Sequence, residues 1–223
     1  MTTRITDKQE IKTAIDNCIF TIKDGQLQVL LIKMKEKFPN TWALPGGLIS
    51  DKETLDQAAM RILSEQNNIK NIYLEQLYTF SDLKRDPFRR VISTAYFALI
   101  PPLPLKLKPT SKYTDIAWHP YKSLGKMPYD QNKIAQYAKQ RLDWKITYTN
   151  VVWSLLPPKF TLTDLQRVYE IILEKPLDKR NFRKKIIALD LIVSLEEKKI
   201  GQANRPARLY KFKTKQPKIV EIM

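Results

Sequence analysis

The stretch GGLISDKETLDQAAMRILSEQNNI, residues 46–69, restricts the fold more than any other part of the chain. Leu55, Ala58, Ala59, Ile62 and Leu63 recur at the i, i+3, i+4, i+7 spacing that puts one apolar stripe on a helix, predicted here over residues 53–67. A helix with a single stripe must lie against a sheet or another helix. The preceding sequence offers a sheet: AIDNCIFTIKDGQLQVLLIKM, residues 14–34, reads as two β-runs joined by Lys23-Asp24-Gly25, where Asp-Gly supplies the positive-φ positions of a tight hairpin turn. TWALPGG follows as a short strand broken by Pro45-Gly46-Gly47.

Further along, IYLEQLYTF and VISTAYFALI read as strands separated by the charged loop SDLKRDPFRR. The proline-rich IPPLPLKLKP is a surface connection, DIAWHP a short strand with His119 as a turn residue before Pro120, and DQNKIAQYAKQRL a helix. Strands and helices mix without steady βαβ alternation, an α+β pattern. The style changes near Leu155-Leu156-Pro157-Pro158, so a boundary is expected between about residues 145 and 158, dividing the chain into 1–148 and 149–223. In a chain of 223 residues each half can bury its own core. The second half runs helix (FTLTDLQRVYEIILEK, with Thr161 and Thr163 as candidate caps), helix opening at Asp178, then two strand-like runs, LIVSLEEKK and ARLYKFK. That is the order of a winged helix-turn-helix.

Charge narrows the partners. Thirty-nine Lys/Arg against 23 Asp/Glu give +16, which points to a polyanion such as nucleic acid or an anionic membrane surface; an inert lysine-rich surface is the alternative. Residues 145–223 hold 17 Lys/Arg and 8 Asp/Glu, +9, so the excess is densest at the winged-helix end. In DKRNFRKKIIALD, Phe182, Ile186 and Leu189 form a buried stripe, leaving Arg180, Arg183, Lys184 and Ile187 on the far face, with Lys179 in the first turn. Such side chains can read base edges in a major groove, while Lys198, Lys199, Arg205 and Arg208 of the hairpin would contact phosphates. A solvated basic helix is the bland alternative, and a winged helix docked on structured RNA is another. The single cysteine, Cys18, excludes an internal disulfide, and with one histidine too few soft ligands remain for a Cys/His zinc site. No run of 18 apolar residues exists, and the first residues, MTTRITDKQEIK, hold no hydrophobic signal core; a cytoplasmic protein without membrane insertion is expected.

Residues 47–69 resemble a Nudix box, whose pattern is G-x5-E-x7-R-E-U-x-E-E-x-G-U with U aliphatic. Gly47, Glu53, Arg61, Leu63, Glu65 and Ile69 match, while Ile62, Gln66 and Asn68 depart. In that family the glutamates following the arginine converge on Mg²⁺, and the resemblance implies that Glu53 and Arg61 pair to tie the loop to the helix. Hard divalent ions need anionic oxygen, so Ile62 and Gln66 remove most of the site's charge. No catalytic residue, metal or cofactor is therefore expected; a working hydrolase in which Glu53 and Glu65 share a weakly held ion is the alternative. SDLKRDPFRR with VISTAYFAL is also similar to the segment after the box in ADP-ribose-type Nudix domains. Arg85, Arg89 and Arg90 would suit diphosphate oxygens and Trp42 or Phe80 a stacked base, although solvated loop arginines and core aromatics explain the same residues. The candidate ligand-binding set is Trp42, Glu53, Arg61, Glu65, Phe80, Arg85, Arg89 and Arg90.

FTLTDLQRVYEIILEKPLDKRNFRKKI with RPARLYKF further resembles the C-terminal winged helix of the Nudix-related, NrtR-like transcriptional regulators. With the degenerate box, this covers most of the chain. The resemblance implies a Nudix-fold mixed-sheet α/β/α sandwich followed by a winged helix-turn-helix. It also implies a homodimer on double-stranded operator DNA and an effector that is ADP-ribose or a related NAD-pathway nucleotide, or in some branches a sugar such as arabinose. Repression relieved by the ligand is the usual outcome. A Mg-dependent pyrophosphohydrolase of nucleoside diphosphate derivatives is the alternative from the enzyme class.

Overall fold

The computed structural model describes residues 10–67, 72–102, 112–199 and 206–222; Asn68, Ile69, Arg205 and most of the proline-rich connection lie outside these residues. Strands β1 (Lys12–Lys23) and β2 (Gln26–Met34) form the expected hairpin. Lys23 pairs with Gln26, and the two residues between them, Asp24 (φ 51°) and Gly25 (φ 73°), take the left-handed values that let a two-residue turn follow the strand twist. β3 (Trp42–Ala43), β4 (Gly46–Leu48), helix α1 (Leu55–Asn67), β5 (Tyr73–Phe80), β6 (Val91–Leu99) and β7 (Tyr113–Pro120) follow. The strands make one mixed sheet in the order β3-β2-β1-β6-β5, with β4 on β1 and β7 on β2. β1 and β6 run parallel; the other pairs run antiparallel.

The central strand β1 is buried without a break from Ile15 to Thr21 because it is covered on both faces. Ile15 packs with Ala58, Ala59 and Ile62 of α1, and Asn17 donates to the Ala59 carbonyl at 3.1 Å. The alternate residues Cys18 and Phe20 join the cluster of α2 (Gln131–Tyr148), with Ile134, Ala138 and Leu142. Alternating side chains thus hold one helix on each side, giving the α/β/α sandwich.

Several local expectations are corrected. Gly46 and Gly47 do not break the chain away from the sheet; they form β4 and pair with Asp16 and Ile15. His119 lies within β7 opposite Val29, not in a turn, and its ring stacks edge-on against Trp42 at 4.4 Å. α2 extends to Tyr148, well past the 142 read from sequence, because its second half buries Leu142 and Ile146 against the following elements. For the same reason the two halves do not bury separate cores. One apolar cluster runs from Phe20 and Phe97 through Ile146, Val151 and Leu155 to Phe160, Tyr169, Phe182 and Ile186.

The second unit comprises α3 (Leu162–Leu173), α4 (Lys179–Ala188) and the antiparallel pair β8 (Ile192–Lys199) and β9 (Ala207–Phe212). Thr161, not Thr163, caps α3, in a capping box with Asp164. The chain end returns to α2: Thr149 bridges Ile219, the Val220 amide donates to the Tyr148 carbonyl at 2.9 Å, and Ile222 is buried. Among the described residues no helix is long and apolar enough to cross a membrane.

At Gly46 the backbone of β4 lies close against β1. A Cβ on Gly46 would stand 2.6 Å from the Ile15 carbonyl oxygen and 2.9 Å from Asp16 Oδ1. Gly46→Ala is expected to lower stability by about 1–3 kcal/mol, the range for forcing an extra carbon into a packed site, read as a lowered urea midpoint at unchanged slope.

Candidate ligand cavity and nucleic-acid interface

Asp16 and Asn17 are polar residues inside an apolar strand, and such residues must find partners. Asp16 Oδ2 accepts from Ser93 Oγ at 2.6 Å and Arg85 Nη2 at 3.1 Å, and Oδ1 accepts from Gln131 Nε2 at 2.7 Å. Arg85 also donates from Nη2 and Nε to the two oxygens of Asp130, at 2.8 and 3.2 Å. Gln131 Oε1 accepts from the Leu44 amide at 2.8 Å. The network joins β1, β6, the loop before β6, the N-terminus of α2 and the segment between β3 and β4. Burial disfavours the Arg85 charge, but the two carboxylates more than offset this and raise its pKa.

This network floors a cavity of about 510 Å³, within the usual range for small-molecule sites. Its inner wall is apolar (Ile15, Ile32, Ala43, Leu44, Val91). Lys35, Lys37, Arg89 and Lys112 stand at the rim, with Glu36 and Asp86 among them. Tyr113 and Tyr129 also line it; burial pushes both hydroxyls up in pKa, and Tyr113 donates to the Gly46 carbonyl at 3.4 Å. Tyr129 is held at φ 56° and packs edge-on against Phe38 at 5.1 Å, which in turn meets Phe88.

Of the eight candidate ligand residues, Arg85 and Arg89 line this cavity. Arg85 is committed to Asp16 and Asp130 and serves as floor. Arg90 donates to the Ser81 and Asp82 carbonyls, both at 3.0 Å, and braces its own loop. Trp42 packs against His119, and Phe80 against Tyr78 and Tyr137 on the far side of the sheet's edge, so neither aromatic lines the cavity. The cavity residues that sequence reasoning missed are Asp16, Gln131, Lys35, Lys37, Lys112, Tyr113 and Tyr129, together with Asp130, which holds Arg85 from behind. Only Asp16 carried a local signal, as a charge within AIDNCIF.

Glu53, Arg61 and Glu65 form a clamp at the α1 edge. Arg61 donates to both Glu53 oxygens at 2.7 and 2.9 Å, to Glu65 at 3.1 Å and to the Leu48 carbonyl at 3.3 Å. Glu65 also lies 3.9 Å from Lys112. Ile62 is buried against Ile15 and Tyr96. The two remaining carboxylates are already neutralised by protein cations and the third position is core, a donor set that does not fit a hard divalent cation. Among the described residues, no three His, Cys, Asp or Glu side chains are grouped to hold a metal ion.

In the second unit, Asp178 accepts from the Asn181 amide at 2.7 Å and fixes the start of α4. The turn before it is held by Glu170, which accepts from the Leu177 amide at 3.0 Å and from Gln166 at 2.9 Å. Phe182 and Ile186 are buried, leaving Lys179, Arg180, Lys184 and Ile187 exposed on one side. Arg183 departs from the expected open face: it is half-buried and donates to Thr163 Oγ1 at 2.8 Å, tying α4 to the start of α3. Lys198, Lys199 and Arg208 sit on the β8–β9 pair, Lys198 opposite Arg208.

Residues 152–212 match the NrtR DNA-binding winged helix domain, and residues 13–142 match the NUDIX domain. Over 205 residues the chain is 37% identical to the ADPR responsive transcriptional repressor NtrR of Acinetobacter baylyi, an alignment covering 89% of this chain and 80% of that protein. Its fold is similar to that of Shewanella oneidensis NrtR complexed with a 27mer DNA, with a TM-score of 0.81 and 31% identity over 90% of this chain and 93% of the other. The NUDIX domain of that Shewanella protein complexed with ADP ribose matches with a TM-score of 0.55 and 28% identity, covering 60% of this chain and 90% of that one.

Removing Arg85 would leave two buried carboxylates without a counter-ion. Arg85→Met is therefore expected to cost about 3–5 kcal/mol in urea unfolding, whereas Arg89→Ala on the exposed rim should change stability by less than about 0.5 kcal/mol. The clamp carries a pH signature. Hydrogen bonds from Arg61, then from the Ser50 amide, lower Glu53 from 4.5 to about 2. Because the folded pKa lies below the unfolded one, this contribution is complete above pH 4.5 and is lost as pH falls toward about 2. Glu53→Gln should flatten that part of the profile of thermal midpoint against pH.

Proposed function

The chain belongs to the NrtR-like family of Nudix-related transcriptional regulators, and from that premise we propose that it represses transcription from operator DNA and releases it when ADP-ribose or a related NAD-pathway nucleotide enters the cavity. The observation that carries this reading is the pairing of a large, cation-rimmed cavity with a neighbouring carboxylate site that cannot hold a divalent ion. A diphosphate suits Lys35, Lys37, Arg89 and Lys112, and an adenine or ribose suits the apolar wall and the Tyr113 and Tyr129 rings. A pentose alone would fill a small part of about 510 Å³ and would not engage Lys35, Lys37 and Arg89, so the nucleotide is favoured over arabinose. Without a metal to polarise the diphosphate, the ligand is bound and released intact.

The sensing unit is assigned to residues 1–148 and the DNA-binding unit to residues 149–223, acting in the cytoplasm as a homodimer on a palindromic site. Arg180, Lys184 and Ile187 are the groove-facing side chains, Lys179, Lys198, Lys199 and Arg208 contact phosphate, and Arg183 orients α4 through Thr163. α2 connects the two functions. Its first residue Gln131 lines the cavity and its N-cap Asp130 holds Arg85 there; farther along, Lys139 lies 3.8 Å from Glu174 at the end of α3, and Lys122 holds the same carboxylate at 2.9 Å. A ligand that prefers one position of α2 shifts the winged helix by its differential affinity for the two states.

Anisotropy of labelled operator DNA tests the reading. ADP-ribose without added metal should displace the protein and be recovered intact; Arg180→Ala with Lys184→Ala should weaken binding and relax sequence preference, whereas Lys179→Ala should weaken binding to all sequences alike and reduce the salt slope by about 1. Turnover of ADP-ribose with Mg²⁺ at ordinary enzyme rates, roughly 1 per second or more, would instead establish the hydrolase.

A further inference from the structure

A second cavity, of about 670 Å³, lies between the two units and shares no residue with the one floored by Arg85. Its size falls within the range of small-molecule sites. The wall is aliphatic: Ile22 at the end of β1, Leu155 and Leu156 between α2 and α3, Val168 and Ile171 on α3, and Leu209 on β9. No aromatic ring among the described residues lines it, so a base or other planar group has nothing to stack on. Asp164, Arg167, Val168 and Ile171 recur at i, i+3, i+4 and i+7, so one face of α3 borders the cavity for two turns, about 10 Å.

The charged residues of the lining are Asp24, Lys159, Asp164 and Arg167. Two are committed: Lys159 is held by Glu197 at 2.6 Å, and Asp164 accepts from the Thr161 amide at 2.9 Å in the cap of α3. Arg167 is the remaining cation, and it makes no hydrogen bond or ion pair among the described residues. Its guanidinium reaches from α3 to the β1–β2 turn, where Nη2 lies 2.9 Å from the place a Cβ on Gly25 would take. The glycine thus leaves room for it at the solvent end of the cavity, since Gly25 and Arg167 are both exposed. Asp24 of the same turn is exposed too and equally without a partner among the described residues.

We propose that this cavity binds an aliphatic carboxylate, a fatty acid of medium chain length, with its carboxylate on Arg167 and its chain against Leu155, Val168, Ile171 and Leu209. A guanidinium fork takes a carboxylate through two parallel hydrogen bonds, and the aliphatic wall takes the chain by burial. A cationic amphiphile meets Arg167 and a net charge of +16, and an alcohol of the same length buries the same chain but leaves Arg167 without its anion. Asp24 opposes the ligand's charge, so its removal reads the sign of what binds. The wall belongs to both units, so a bound chain favours one position of α3 over the β1–β2 hairpin. By linkage, operator DNA then changes the affinity for the fatty acid by the factor by which the fatty acid changes the affinity for operator. The site itself stands independently of the repressor proposal.

Titration calorimetry of the full chain with octanoate, decanoate and decanol, each below its aggregation limit, tests the site. Decanoate should bind once per chain, about 15-fold tighter than octanoate for its two additional CH₂ groups and at least about 10-fold tighter than decanol. Arg167→Met should weaken decanoate at least about 10-fold while leaving decanol unchanged, and Asp24→Asn should tighten decanoate. Both side chains are exposed, so circular dichroism should match wild type; Asp24→Asn and the comparison with decanol give the reading on their own should Arg167→Met unfold. Arg89→Ala, at the other cavity, should bind decanoate as wild type does. Absence of decanoate binding overturns the site, and equal binding by folded Arg167→Met or weaker binding by Asp24→Asn overturns the ligand class. None of these results touches the release of operator DNA by ADP-ribose, and a failure of that release leaves decanoate binding as the separate measure of this cavity.

Discussion

Arg85 is the point at which the sensing unit is tied together. Its guanidinium joins Asp16 of the central strand to Asp130 at the head of α2, while Gln131 extends the same network to the Leu44 amide. A buried arginine between two carboxylates stabilises only when every lone pair is satisfied, and Ser93 and Gln131 supply the missing donors. The arrangement fixes the approach of α2 to the sheet, keeps β4 against β1 at Gly46, and forms the floor on which a ligand would rest. The stability of the unit and the shape of the cavity therefore depend on the same few atoms, which join the cavity directly to the head of α2.

The adjoining Nudix helix keeps its place on the sheet although two of the carboxylates its family pattern calls for are replaced by Ile62 and Gln66. Glu53 and Arg61 hold the loop to the helix, and Leu63, Ala58 and Ala59 keep it on the sheet. Ile62 stands where a metal ligand is called for and instead adds to the apolar contact with Ile15 and Tyr96. Arg61 then takes Glu65 as well, so the remaining carboxylate is neutralised by the protein's own cation. Fold and activity are set by different residues: the ones that hold this helix on the sheet are not the ones that would hold a metal.

α2 makes the two units mechanically one. Its first residues belong to the cavity, its middle faces the sheet, and its end is clasped by the returning tail through Asn150, which accepts from the Lys218 amide at 2.7 Å and donates to the Gln216 carbonyl at 3.1 Å. The continuous apolar cluster means that winged-helix motion cannot be a free swing on a linker.

Local rules determined most of the elements from the sequence itself. Asp24-Gly25 set the first hairpin, the stripe of Leu55, Ala58, Ala59, Ile62 and Leu63 set α1, and Asp178 with Phe182 and Ile186 set α4, because turn chemistry, caps and periodicity act within a few residues. Family resemblance likewise rested on a contiguous box and a contiguous helix pair. The cavity was decided only by tertiary structure. Asp16, Arg85 and Asp130 lie 69 and 45 residues apart in sequence, and no local rule links them. The same holds for Trp42 and Phe80, whose chemistry suited a base but whose strands turn them to His119 and Tyr137, and for α2, whose length follows from what its second half covers. Spacing along the chain sets which face a side chain occupies; only packing between elements sets which residues from distant segments share a site.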